Sequence, residues 1–126
     1  MINSFPEYSG NKPKSTRQLD QWHALSVVEA ALEPHLPIVD PHHHLYGKAG
    51  DADYYELDDL RRDLDQGHRV IGTVYVEAYG SGWRSDGPEA LRPVGEVDMI
   101  MGLTKAPLQT RSGPCHMGAG IVCYAA

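Results

Sequence analysis

The chain has 126 residues, 41% hydrophobic and 22% charged, with a formal net charge of -6 at pH 7. These values fit one modest globular domain and give no reason to expect nucleic acid or an anionic membrane surface as a partner. The first residues lack a basic start followed by an apolar stretch, and no run approaches the roughly 18 apolar residues of a membrane span, so cytoplasmic residence is expected.

In chain order, residues 1–20 mix Ser, Asn, Pro, Gly and Lys with little periodicity and read as a flexible N-terminal arm. Leu25, Val28 and Leu32 then recur at helical spacing, with Asp20 available as a cap and Pro34 as a stop, which predicts a short amphipathic helix over 21–33. The stretch from Leu36 to Gly47 opens as an apolar run and closes on Asp40-Pro41-His42-His43-His44, the pattern of a buried strand delivering ligand-type side chains at its C-terminal end. Strand alternation puts Asp40, His42 and His44 on one face, and Val39, Pro41 and His43 on the other. Two imidazoles two residues apart on one face can share a metal ion. Asp40 could orient one of them by accepting its other N–H, or could be a structural carboxylate bonded to backbone amides. His43, on the opposite face, reads as a packing or surface residue.

Residues 46–54 read as a loop on the side of the site, and 55–66 as a helix carrying Leu57, Leu60 and Leu64, with Asp58 and Asp59 in its first turn and Gly67 at its end. Residues 70–78 are rich in β-branched and aromatic types and predict a second strand, joined to the first by a right-handed parallel crossover. Glu77 sits at the end of that strand beside the histidines, and such a carboxylate needs a metal, a cation or a hydrogen-bond donor if it is buried. Residues 79–93 form a long loop in which Trp83 and Arg84 could stack on and pair with an anionic ring or sugar acid, or could simply be a packing Trp and a solvated Arg. Residues 95–105 predict a further helix with Val97, Ile100, Met101 and Thr104 on one stripe, and Glu96 and Asp98 in its first turn. A polar link then leads to a third strand over 117–124. Cys115 and Cys123 flank it, about 26 Å apart at about 3.3 Å per residue, so both are expected to be reduced thiols, with Cys123 in the core.

The Asp40-x-His42-x-His44 pattern after a short apolar run resembles the first strand of the amidohydrolase superfamily, in particular the amidohydrolase 2 or amidohydrolase-related branch. The likeness continues through Tyr55-Glu56-Leu57-Asp58-Asp59-Leu60, Gly67-His68-Arg69-Val70, Thr73-Val74-Tyr75-Val76-Glu77-Ala78, Asp86-Gly87-Pro88, Val94-Gly95-Glu96 and Gly118-Ala119-Gly120-Ile121-Val122. The resemblance implies an α/β fold over 21–126: part of a TIM-type barrel with about three parallel strands and two helices, after the N-terminal arm and helix. A complete barrel takes about 250 residues, so the chain is expected to be the N-terminal portion of one. Such a partial barrel would leave an exposed strand edge through which a homo-oligomer could form.

By the same resemblance the function is metal-dependent hydrolysis of a lactone or amide-like bond in a small-molecule substrate. His42 and His44 would be the ligands of a divalent ion, zinc foremost, and metal-activated water the nucleophile. Some members of the branch need no metal and use the same histidines to polarise substrate. Asp40 and Glu77 are the candidate catalytic carboxylates, and Trp83 and Arg84 the candidate substrate contacts. Sites in α/β barrels lie at the C-terminal ends of strands, which sets aside His68 and His116, read as preceding their strands, and His23 and His35 in the N-terminal region. Complete members supply two more histidines and an acid/base aspartate from later strands. The competing readings are therefore an inactive or metal-binding fragment that needs a partner, a non-oxidative decarboxylase of the same superfamily, and a small α/β binding module.

Overall fold

A computed structural model describes residues 14–27, 29–47, 50–51, 54–78 and 82–124. Helix α1 (Thr16–His23) precedes strand β1 (Pro37–His43), and helix α2 (Leu57–Leu64) leads to strand β2 (Arg69–Val76). After a short 3-10 turn (Glu89–Leu91) come helix α3 (Val94–Leu103), strand β3 (Leu108–Thr110) and strand β4 (Gly113–Val122). The sheet order is β1-β2-β4-β3, with β1, β2 and β4 parallel and β3 antiparallel to β4. The described residues thus form a mixed α/β fold with a four-stranded, mostly parallel open sheet and three α-helices.

One face of the sheet is packed. Leu60 and Leu64 stand i, i+4 on α2 and share a buried core with Tyr75 of β2, Ile100 of α3, and Cys115 and Met117 of β4. The other face is open: Val39 and Val122 are each more than half exposed, and His116 and Ala119 are exposed beside them. The parallel strands therefore do not read as residues buried on both sides. They bury the positions facing the helices.

Several sequence expectations are corrected here. The first helix lies not over 21–33 but over Thr16–His23, because Ser15 and Gln18 form a reciprocal capping box that starts it earlier. Leu25 and Leu32, read as its apolar stripe, are 83% and 96% exposed, so no packing surface holds that segment helical. Val28, the third member of that stripe, lies outside the described residues. So do residues 1–13 of the expected arm, 48–49 and 52–53 of the first loop, and 79–81 of the second; helix α1 begins inside the stretch read as arm.

The polar link before the third strand contains β3. Its partner β4 starts at Gly113, four residues earlier than read, because the two pair across a two-residue turn with Thr110 opposite Gly113. The Thr110 hydroxyl donates to the Gly113 carbonyl at 2.7 Å and accepts the Ser112 N–H at 3.2 Å, and Gly113 takes φ +113°, a conformation that costs glycine little. His116 accordingly sits within β4, opposite Gly72, rather than ahead of the strand. Cys115 is the buried thiol; Cys123 lies one residue beyond the strand and is exposed, contrary to the expected core position. Both cysteines are free.

Candidate functional site

Strand β1 ends in a bulge. Asp40 is opposite Thr73 and His43 opposite Tyr75, so three steps along β1 match two along β2. This breaks the strict alternation read from the sequence and puts Asp40 on the side of Thr73 and Tyr75 with His43, not with His42 and His44. The Asp40 carboxylate accepts the backbone N–H of His42 at 3.0 Å, so it braces the bulge rather than an imidazole ring. His43 is buried with its ring edge-on to Tyr75 at 5.5 Å between centroids, and burial pushes its pKa below the usual histidine value.

His42 and His44 converge. Their Nε2 atoms are 3.0 Å apart and their rings 4.8 Å between centroids. The Nδ1 of His44 lies 2.8 Å from the carbonyl oxygen of Val76 at the end of β2. A carbonyl only accepts, so this contact assigns the proton of neutral His44 to Nδ1 and leaves Nε2 as a lone pair. His42 must then donate from its own Nε2 to make the 3.0 Å contact. The pair thus carries one shared proton between two nitrogens that would otherwise both be acceptors.

The donor chemistry suits a zinc-type ion. Two nitrogens each about 2.0–2.1 Å from one ion lie roughly 3 Å apart when the bonds meet near a right angle. A ligand histidine whose far nitrogen donates to a backbone carbonyl is the usual outer support of such a site. Among the described residues no group of three or more His, Cys, Asp or Glu side chains is positioned to hold a metal, and the two imidazoles are the ligands that those residues bring together there.

Two neighbours were not singled out from the sequence. Tyr46 packs against His44 at 5.1 Å between centroids, and its backbone pairs with Tyr55 through N–H to O contacts of 2.8 and 3.1 Å. Tyr46 also lines an apolar cavity of about 210 Å³ with Leu45, Tyr55, Leu57, Met99 and Leu103. Its strand-like spacing of two from His44 was the available signal. The second is Glu96, only 2% exposed, which was read merely as an acid complementing a helix start. Its Oε1 accepts the Tyr75 hydroxyl at 2.5 Å and the Ala78 N–H at 2.7 Å, and its Oε2 accepts the Trp83 indole N–H at 3.1 Å. Burial and the Glu96 carboxylate together push the Tyr75 hydroxyl well above its ordinary pKa.

Glu77 is half-buried, one residue past β2, and its backbone N–H donates to Val122 at 2.9 Å. It adjoins Val76, whose carbonyl holds His44. Trp83 is turned towards Glu96 and lies 5.9 Å from the ring of Tyr124, while Arg84 pairs with Asp98 of α3 at 2.5 Å. The loop bearing them lies against the first turn of α3, where a Cβ on Gly95 would overlap the Gly82 carbonyl and sit 2.8 Å from the Arg84 nitrogen. Of the six side chains singled out from the sequence, the structure joins His42 and His44 directly, ties Asp40 to the backbone of His42, and directs Trp83 and Arg84 to α3.

Comparison with protein-family models, with curated proteins and with solved structures finds no match. No helix among the described residues is long and apolar enough to cross a membrane.

Proposed function

We propose that His42 and His44 are two ligands of a divalent ion in a metal-assisted hydrolase of the amidohydrolase type, acting on a lactone or amide-like bond. The observation that carries this reading is the convergence of the two Nε2 atoms to 3.0 Å, with His44 already held in the Nδ1–H tautomer. When bound, an ion of the zinc class supplies Lewis acidity and lowers the pKa of a water molecule. The chain's own residues present two lone pairs once the His42 proton moves to Nδ1, and the Val76 carbonyl keeps the His44 ring in place. Asp40 keeps the bulge that lets both rings reach the same point. Glu77, next in the chain after Val76, is the acid/base candidate, and the apolar cavity beside Tyr46 suits the hydrocarbon part of a lactone ring.

The same proposal extends to architecture. Strands β1, β2 and β4 follow one another in space in chain order, and α2 and α3 pack into one core on one side of them. Unidirectional order with helices on a single face is what right-handed crossovers produce in an arc of a TIM-type barrel, whereas a doubly wound sheet reverses direction. The ions of such sites take about four ligands, so two imidazoles leave places for water and for donors from another polypeptide. That favours, as the second reading, a metal-binding chain completed by a partner along the β1 edge.

The test is hydrolysis of a panel of simple lactones and amides by the full chain, with and without added zinc. Zinc-dependent turnover, slow for the chain alone and abolished by His42→Ala and by His44→Ala, supports the hydrolase reading. Binding of zinc through the two histidines without turnover supports the second reading, and turnover or zinc binding indifferent to both substitutions overturns both.

A further inference from the structure

Glu96 is the most deeply buried carboxylate among the described residues, and nothing in the chemistry above uses it. Its partners show what it organises. The peptide plane joining Val76 to Glu77 is rigid: its carbonyl contacts His44 at 2.8 Å on the β1 side, and its N–H donates to Val122 at 2.9 Å on the β4 side. Glu96 holds the chain on both flanks of that plane, at the Tyr75 hydroxyl before it and the Ala78 amide after it, both on Oε1. Its other oxygen takes the Trp83 indole, so the carboxylate is also tied to the loop that closes over the start of α3.

We propose that Glu96 is a positioning residue for the histidine pair: by fixing the end of β2 it aims the Val76 carbonyl that holds His44 in the tautomer needed to bind a cation. This deepens the reading of His42 and His44 as ligands and rests on it. A carboxylate suits the task because all its partners donate and it only accepts. Glutamine at the position can keep its carbonyl oxygen on the Tyr75 hydroxyl and the Ala78 amide only by turning its NH₂ towards the Trp83 indole N–H, which cannot reciprocate, so the clamp would loosen with the volume kept.

The experiment uses the full chain, ¹⁵N-labelled and zinc-free, with long-range ¹H–¹⁵N correlation of the imidazole rings, followed by zinc titration against a chromophoric chelator. In the unsubstituted chain His44 should be a single Nδ1–H tautomer. Glu96→Gln should give a mixture of tautomers at His44 and a zinc affinity lower by about 10-fold, the lower end of what loss of an outer support costs. Ile100→Val, which loosens the same helix without touching the carboxylate, should lower the urea midpoint yet leave tautomer and affinity as they were. A folded Glu96→Gln chain with an unchanged His44 tautomer overturns the proposal, as does an Ile100→Val chain showing the same loss. Should Glu96→Gln not fold, Tyr75→Phe decides, with a smaller shift in the same direction expected and no shift contradicting it. Should the unsubstituted chain bind no zinc, the ligand reading fails, while the tautomer measurement still decides what Glu96 does.

Discussion

Two polar clusters lie at the carboxyl end of the sheet, and they are built in opposite ways. The histidine pair is open: His42 is exposed, His44 half-buried, and the two share one proton between facing nitrogens. The Glu96 cluster is sealed, with a carboxylate 2% exposed that accepts from three donors, two at the end of β2 and one on the loop that follows. An open cluster has unspent binding capacity and contributes little to stability; a saturated one contributes stability and has none to give a ligand. The contrast separates the group suited to meeting a ligand from the group suited to holding it in place.

The largest expected effect comes from emptying the sealed cluster. Glu96→Ala leaves the Tyr75 hydroxyl, the Ala78 amide and the Trp83 indole without their acceptor and opens a cavity, at a cost of about 3–5 kcal/mol in urea unfolding. A loss below about 1 kcal/mol would show that water or a rearranged loop satisfies those donors and that the cluster is not sealed. Gly95→Ala strikes the same region from the loop side, because the added methyl meets the Gly82 carbonyl and the Arg84 nitrogen. About 1–3 kcal/mol is expected for the backbone shift it forces.

Tyr75→Phe should cost about 1 kcal/mol near neutrality, the net value of one hydrogen bond. It should also change the alkaline limb. The unfolded tyrosine ionises near pH 10, while the folded one, held neutral by burial and by Glu96, ionises only well above that. Above about pH 10 the unfolded chain therefore binds fewer protons than the folded one, and stability falls as pH rises. Phenylalanine removes this contribution, so the variant's stability should decline less steeply above pH 10 than that of the unsubstituted chain. Equal slopes would place the Tyr75 hydroxyl in water.

How far each cluster could be read from the sequence follows from its wiring. His42 and His44 are two residues apart at the end of β1, so local periodicity suffices to pair them, whereas the bulge that moves Asp40 aside leaves no mark in that pattern. The Glu96 cluster joins positions 21, 18 and 13 residues away through tertiary packing. Helix α3 is apolar nearly all round, with Val94, Val97, Met99, Ile100, Met101 and Leu103, so periodicity could not single out the face that is buried. Met101, placed on the buried stripe, is 59% exposed, while Glu96 and Ile100, spaced i, i+4, form the buried edge. The order of helices and parallel strands was legible because apolar runs separated by Gly and Pro mark it. The β3 hairpin was not, since three residues of strand depend on their partner more than on their own composition.

The smallest expected stability change belongs to the open cluster. His42→Ala should alter the urea midpoint by an amount equivalent to no more than about 0.5 kcal/mol, as for an ordinary surface substitution. The direct measurement of the central claim is therefore calorimetric titration of zinc into the full chain and into His42→Ala and His44→Ala. One zinc site per chain, weakened at least 10-fold by either substitution while the fold persists, is the expected result. Zinc affinity unchanged by removal of either imidazole would contradict the assignment of this pair as a metal-binding unit.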